Sequence, residues 1–224
     1  MSHPSARLLS TRAVAGFLVL AASCDLLESV ISPLTSSTTA ADVSAIAAHQ
    51  GRFELSVLIG LVGTFAYLPG LVGLAATTVR RAPWASRIAA GLALVGLSGW
   101  IGIRMGQAVE LQGIRDGLPR SATAGLIDHL GGNPIGSPIV LVFLAGTILG
   151  MIAIAVAVWR AGLPKPAAVL LVIFPIADTG LESFGVSTFA HALPLVAFTW
   201  IAVRLVQGTP EPAALPTAEP SPAV

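Results

Sequence analysis

Residues 139–158 read IVLVFLAGTILGMIAIAVAV, twenty consecutive positions without a charged side chain. A helix of that length rises about 30 Å, the thickness of a bilayer's hydrocarbon core. The run therefore reads as a membrane-spanning helix. The rest of the chain agrees with it. Of 224 residues, 54 % are hydrophobic and only 10 % are charged, where a soluble domain carries about 25 % charged residues. Mean hydropathy is +0.85, so too little polar surface exists to cover a globule in water. A net charge of +1 without a basic run argues against a nucleic-acid partner. The single cysteine, Cys24, excludes an internal disulfide and a cysteine-based metal cluster.

Outward from Ile139–Val158, five more apolar runs have spanning length: Ala13–Pro33, Leu55–Val79, Ile88–Ala108, Ala167–Phe184 and Val186–Val206. The last two are divided only at Phe184-Gly185, which predicts a tight helical hairpin at Gly185. The expected fold is an all-α polytopic membrane bundle of about six transmembrane helices. It forms one domain over residues 1–207, followed by a Pro/Ala-rich, disordered tail over 208–224. With both termini cytoplasmic, the inner side collects Arg7, Arg12, Arg80, Arg81, Arg87, Arg160, Lys165 and Arg204. The outer side then holds only Arg52, Arg104, Arg115 and Arg120, as the positive-inside rule requires of a multi-pass protein of the cell membrane. Ala21-Ala22-Ser23-Cys24 superficially resembles a lipoprotein cleavage site. The apolar run continues past Cys24 to Ile31, however, so a first transmembrane helix is expected instead. Short helices are expected in the two outer loops, around Ala40–His49 and Ser121–Leu130.

Ionisable groups inside a span cost about 2.5–3.5 kcal/mol each, so their positions carry information. Asp25 lies about 18 Å from Ala13 along the first span, and Glu28 about 22 Å. Asp178 and Glu182 lie about 17 and 23 Å along the fifth, and Arg104 about 24 Å along the third. His191 lies about 8 Å below the outer end of the sixth span, and Glu54 marks the outer end of the second. All fall between the mid-plane and the outer surface, while the inner half is nearly free of charge. A polar cavity opening outward accounts for this asymmetry. Asp25 and Glu28 are three positions apart and Asp178 and Glu182 four, so each pair shares a helical face. Such carboxyls in a low-dielectric site cannot all ionise, so at least one is expected to be a neutral acid at pH 7. Arg104 is the natural partner for one that stays charged.

The same carboxyls also suit a plainer role as polar links between helices. None of the four histidines, His3, His49, His129 and His191, stands in an i, i+4 or opposed pair suited to zinc or haem, so no metal or cofactor is expected. Gly146-xxx-Gly150, and Gly99, Gly102 and Gly106, read as close-packing positions. Pro69, Pro175 and Pro194 read as kinks. Walker A, nucleophile-elbow, HExxH and dinucleotide fingerprints are absent from the sequence.

Ala47-Ala48-His49-Gln50-Gly51-Arg52-Phe53 and Trp159-Arg160-Ala161-Gly162-Leu163-Pro164 give the chain its likeness to a known group. Over roughly residues 10–206 it resembles small actinobacterial integral membrane proteins of about six helices, most without an assigned function. Some similarly sized members are terpene cyclases of prenylated natural products, with buried Asp and Glu as proton donors. The resemblance implies a membrane-bound terpene cyclase acting on a hydrophobic small molecule. Asp178 or Asp25 is the expected donor, Glu28 and Glu182 modulate it, and Arg104 fixes a charged neighbour. Trp100, Phe174, Phe184, Phe189 and Trp200 would stabilise carbocations, with Glu54 and His191 at the substrate. The alternatives are a proton-coupled small-molecule carrier or sensor, for which a homodimer is expected, and a non-catalytic membrane scaffold.

Overall fold

The computed structural model describes residues 9–34, 38–134, 136–182 and 187–208. Among them every regular element is helical: α1 (Thr11–Ile31), α2 (Thr39–Ala48), α3 (Gln50–Thr78), α4 (Pro83–Arg115), α5 (Arg120–Gly132), α6 (Gly136–Arg160), α7 (Lys165–Glu182) and α8 (Ala192–Gln207), with one 3-10 turn at Ser187–Phe189. The tail beyond Gly208, expected to be disordered, lies outside the described residues.

Local chemistry sets the helix ends. The Ser10 hydroxyl accepts from the Ala13 N–H at 3.2 Å, and the Thr38 hydroxyl accepts from Ala41 at 3.2 Å, so both satisfy donors left free at a helix start. At the other end, α4 and α6 stop on Gly117 and Gly162, with φ of 77° and 76°. Each helix closes with the paired backbone bonds of a Schellman turn, Leu118 to Gly113 and Leu163 to Val158 being the longer-range ones.

Four helices, α1, α3, α4 and α6, are long and apolar enough to cross a membrane. The two C-terminal helices are shorter, 18 residues in α7 and 16 in α8. The helix expected from Val186 begins only at Ala192, and residues 183–186, around the expected Gly185 hairpin, lie outside the described residues. Proline chemistry explains the late start. Pro194 has no N–H and is tolerated in a first turn, where no intrahelical acceptor exists. It therefore opens α8 rather than kinking it, whereas Pro69 and Pro175 do lie inside α3 and α7.

The six longest helices pack as a closed ring. α1 packs on α3, α3 on α4, α4 on α6, α6 on α7, α7 on α8, and α8 returns to α1. The short helices α2 and α5 pack on each other at one end. The α4–α6 and α1–α3 interfaces are the most extensive. At the first of these the Gly96 and Gly146 backbones meet: a Cβ on Gly96 would lie 2.9 Å from the Gly146 carbonyl carbon. Only two facing glycines permit such an approach. The core between the helices is aliphatic and aromatic, with Leu18, Leu171, Phe198 and Ile201 fully buried.

The outward surface is apolar as well. Phe65 and Ile176 are 61 % and 68 % exposed, and Leu58, Leu141 and Val206 are more than half exposed. Two charged side chains, those of Asp25 and Arg104, are buried instead. Apolar outside and charged inside is the pattern of a protein dissolved in lipid. The chain reads as a membrane protein on this ground together with its four spanning helices.

Candidate functional site

Antiparallel packing collects the intramembrane charges at one end of the ring. Asp25 and Glu28 lie in the last two turns of α1, Arg104 two thirds of the way along α4, Asp178 near the end of α7, and His191 just before α8. They form two adjoining networks.

His191 is the hub of the first. Its Nδ1 lies 2.9 Å from Asp25 Oδ2, and its Nε2 lies 3.3 Å from Asp178 Oδ1. With a proton on each nitrogen, the imidazole donates to both carboxylates at once. Exposure falls stepwise along this chain, from 38 % at Asp178 through 17 % at His191 to 5 % at Asp25. A proton reaching Asp178 from outside the bundle thus has a hydrogen-bonded route to a buried acid. Because both ring nitrogens face carboxylates, neither is free to bind a metal or haem iron in this arrangement. The Phe174 ring lies against the imidazole in an edge-to-face arrangement, with centroids 5.5 Å apart.

Arg104 anchors the second network. Its two terminal nitrogens donate to the two carboxylate oxygens of Glu28, and one also donates to Gln107 Oε1 at 2.9 Å. Trp100 covers the guanidinium with its ring 5.3 Å away. Room for the pair comes from α3, where a Cβ on Gly60 would lie 2.7 Å from Arg104 Cζ. Arg104 Nε is buried without a hydrogen-bond partner among the described residues. Glu28, only three positions from Asp25, is thus held by a different partner. The two carboxyls share a helical face and are neutralised separately.

Beside Asp25 the ring leaves a narrow, partly open apolar cavity of about 40 Å³, room for two or three waters. Asp25, Tyr67, Trp100 and Phe174 line it, together with Gly96 and Gly146 of the close crossing. Tyr67 is the one tyrosine of the chain and is 6 % exposed. Its ring meets Phe198 edge-on at 6.0 Å.

Of the residues expected at the site, Asp25, Asp178, His191 and Phe174 come together, and Glu28, Arg104 and Trp100 form the adjoining pair network. Glu54 does not join them. It pairs with Arg115 at 2.6 Å on the exposed rim. Phe184 and the side chain of Glu182 lie outside the described residues. Sequence reasoning missed Tyr67 and Gly60 as members of the site. A sole tyrosine in mid-span was the available signal for the first. The rim pair is solvated on both sides, so Arg115→Gln is expected to lower stability by less than about 1 kcal/mol in a thermal melt in detergent.

Comparison with protein-family models, with curated proteins and with solved structures gives no match for this chain.

Proposed function

We propose that the chain is a membrane-embedded acid catalyst that protonates an isoprenoid chain of a prenylated natural product and lets it cyclise. One observation carries this reading: the buried Asp25 faces an apolar, aromatic cavity, with His191 and the more exposed Asp178 behind it. In the proposed step the Asp25 carboxyl gives its proton to an alkene carbon, and the π pair forms the new C–H bond. A second alkene then closes on the carbocation, and the Asp25 carboxylate takes a proton from the cyclised cation, which regenerates an alkene and the acid together. The product is an isomer of the substrate. Phe174, Trp100 and Tyr67 supply the π-faces that a cation needs, and exclusion of water protects it from capture. His191, backed by Asp178, holds the Asp25 carboxylate in place between the two transfers.

The membrane arrangement that goes with this reading has six crossings, α1, α3, α4, α6, α7 and α8, with both termini cytoplasmic. The closed ring supports the count, and the basic α3–α4 and α6–α7 connections at one end support the orientation. The site then lies toward the outer leaflet. A lipophilic substrate reaches it through the bilayer, by parting the short helices α7 and α8 from α1.

A proton-coupled carrier is the second reading, favoured by the small volume of the resting cavity. One assay separates the two. Membranes carrying the protein are given farnesylated and geranylgeranylated indole or quinone substrates, and products of unchanged mass are sought. Turnover is expected to drop at least about 100-fold in both Asp25→Asn and Asp178→Asn. Turnover indifferent to both changes removes these acids from the mechanism. Absence of product, with proton-driven uptake lost in the same variants, selects the carrier.

A further inference from the structure

At the opposite end of the ring, α6 and α7 leave an open groove of about 320 Å³ between them. Its floor is made by Ala155 and Ala168, each 3 % exposed, because the small side chains keep the two helices from filling the space. Val156, Val172 and Ile173 form the walls, and Trp159 and Arg160 stand at the mouth. From Arg160 to Ala155 the groove runs about 7 Å inward along α6, and from Lys165 to Ile173 about 12 Å along α7. It is apolar within and basic only at its rim.

The charge around that rim is one-sided. Arg160 ends α6 and Lys165 begins α7, both exposed, and the Lys165 ammonium lies 5.2 Å from the Trp159 ring. Arg81 donates to the Ala161 carbonyl at 2.8 Å, which draws the α3–α4 connection, with Arg80 and Arg87, to the same end. The sequence contains no Asp or Glu between Glu54 and Glu110, nor between Asp128 and Asp178. Among the described residues neither Arg160 nor Lys165 has a carboxylate partner. An anion arriving here meets only positive charge among the described residues.

We infer that this groove is a binding site for an anionic phospholipid of the bilayer, with one acyl chain against Ala155 and Ala168 and the phosphate at Arg160 and Lys165. Trp159, amphipathic and half-exposed, sits at the headgroup boundary where indoles are favoured. A zwitterionic lipid fits the groove equally well but brings a quaternary ammonium against two cations. A second copy of the chain, related by a two-fold axis along the membrane normal, would set the same cations against each other. Net negative charge is what distinguishes the occupant. The inference rests on the bilayer reading and is independent of the proposed chemistry at Asp25.

The full chain is reconstituted in phosphatidylcholine vesicles containing about 10 mol % phosphatidylglycerol, with bromine on the acyl chains of one lipid or the other. The Trp159 fluorescence is isolated by subtraction of a Trp159→Phe variant. Brominated phosphatidylglycerol is expected to quench it with about tenfold higher relative affinity than brominated phosphatidylcholine. That preference is expected to vanish in Arg160→Gln/Lys165→Gln, and to fall in Val172→Phe, which fills the groove and keeps both charges. Equal quenching by the two lipids overturns the inference, as does a preference kept in both variants. So does a lipid-free dimer closed through this face in native mass spectrometry.

Discussion

Arg104→Met is expected to lower stability by about 3–5 kcal/mol, read as the midpoint of thermal or denaturant unfolding in detergent. The arginine is 4 % exposed, and its main partner, Glu28, is 15 % exposed. Removing the guanidinium leaves Glu28 with no cation in hydrogen-bond contact, and a buried carboxylate without its partner carries a large desolvation cost. Gln107 loses its donor in the same change. Replacing both partners, as in Glu28→Leu/Arg104→Met, removes the charge together with its counter-charge. The double variant is expected to recover most of the loss, because apolar replacements of a buried pair are often neutral. A double variant as unstable as Arg104→Met alone would show that the arginine acts through Trp100 and the α4 packing instead.

Gly146→Leu is expected to cost at least about 3 kcal/mol and to open the ring. A Cβ on Gly146 would run into the Gly96 backbone, with the Leu92 carbonyl oxygen next at 3.2 Å. Backbone cannot rotate aside as a side chain does, so α4 and α6 must separate along their whole contact. The nearby Gly150 is the matched control. Its Cβ would meet Leu92 Cβ at 3.6 Å, an ordinary contact, so Gly150→Ala is expected to change stability by no more than about 1 kcal/mol. Circular dichroism melts of the three proteins in one detergent check both expectations.

The contrast between these two glycines shows how far the sequence could be read. Gly146-xxx-Gly150 announced a close crossing, but of the two only Gly146 would clash with backbone, since a Cβ on Gly150 stays 3.8 Å or more from backbone atoms. Its counterpart Gly96 stood outside the motif, because a contact between two helices leaves no spacing in either one. The charges were similar. Helical rise brought Asp25, Glu28, Asp178 and Arg104 to one depth, since depth depends only on position along a span. Which carboxyl faces which cation depends on the rotation of each helix about its axis. An apolar pattern covering all sides of a helix does not encode that rotation. Hence Arg104 was legible as a partner for some carboxyl, while its choice of Glu28 and the seat of His191 between two aspartates were not. The start of α8 was misjudged for a local reason: Pro194 reads as a kink inside a long apolar run and as an opening residue once the run is cut at His191.

The return of α8 to α1 has a consequence for how the protein is made. Glu28 and Arg104 are 76 positions apart, whereas Asp25 and His191 are 166 apart. As the chain emerges, Glu28 gains its counter-charge once α4 is inserted, halfway through synthesis. Asp25 waits with an unmatched carboxyl until the last helix arrives. Ribosome-bound intermediates that end before His191 therefore lack the Asp25–His191–Asp178 network, and the nascent chain acquires it in the same event that seals the ring.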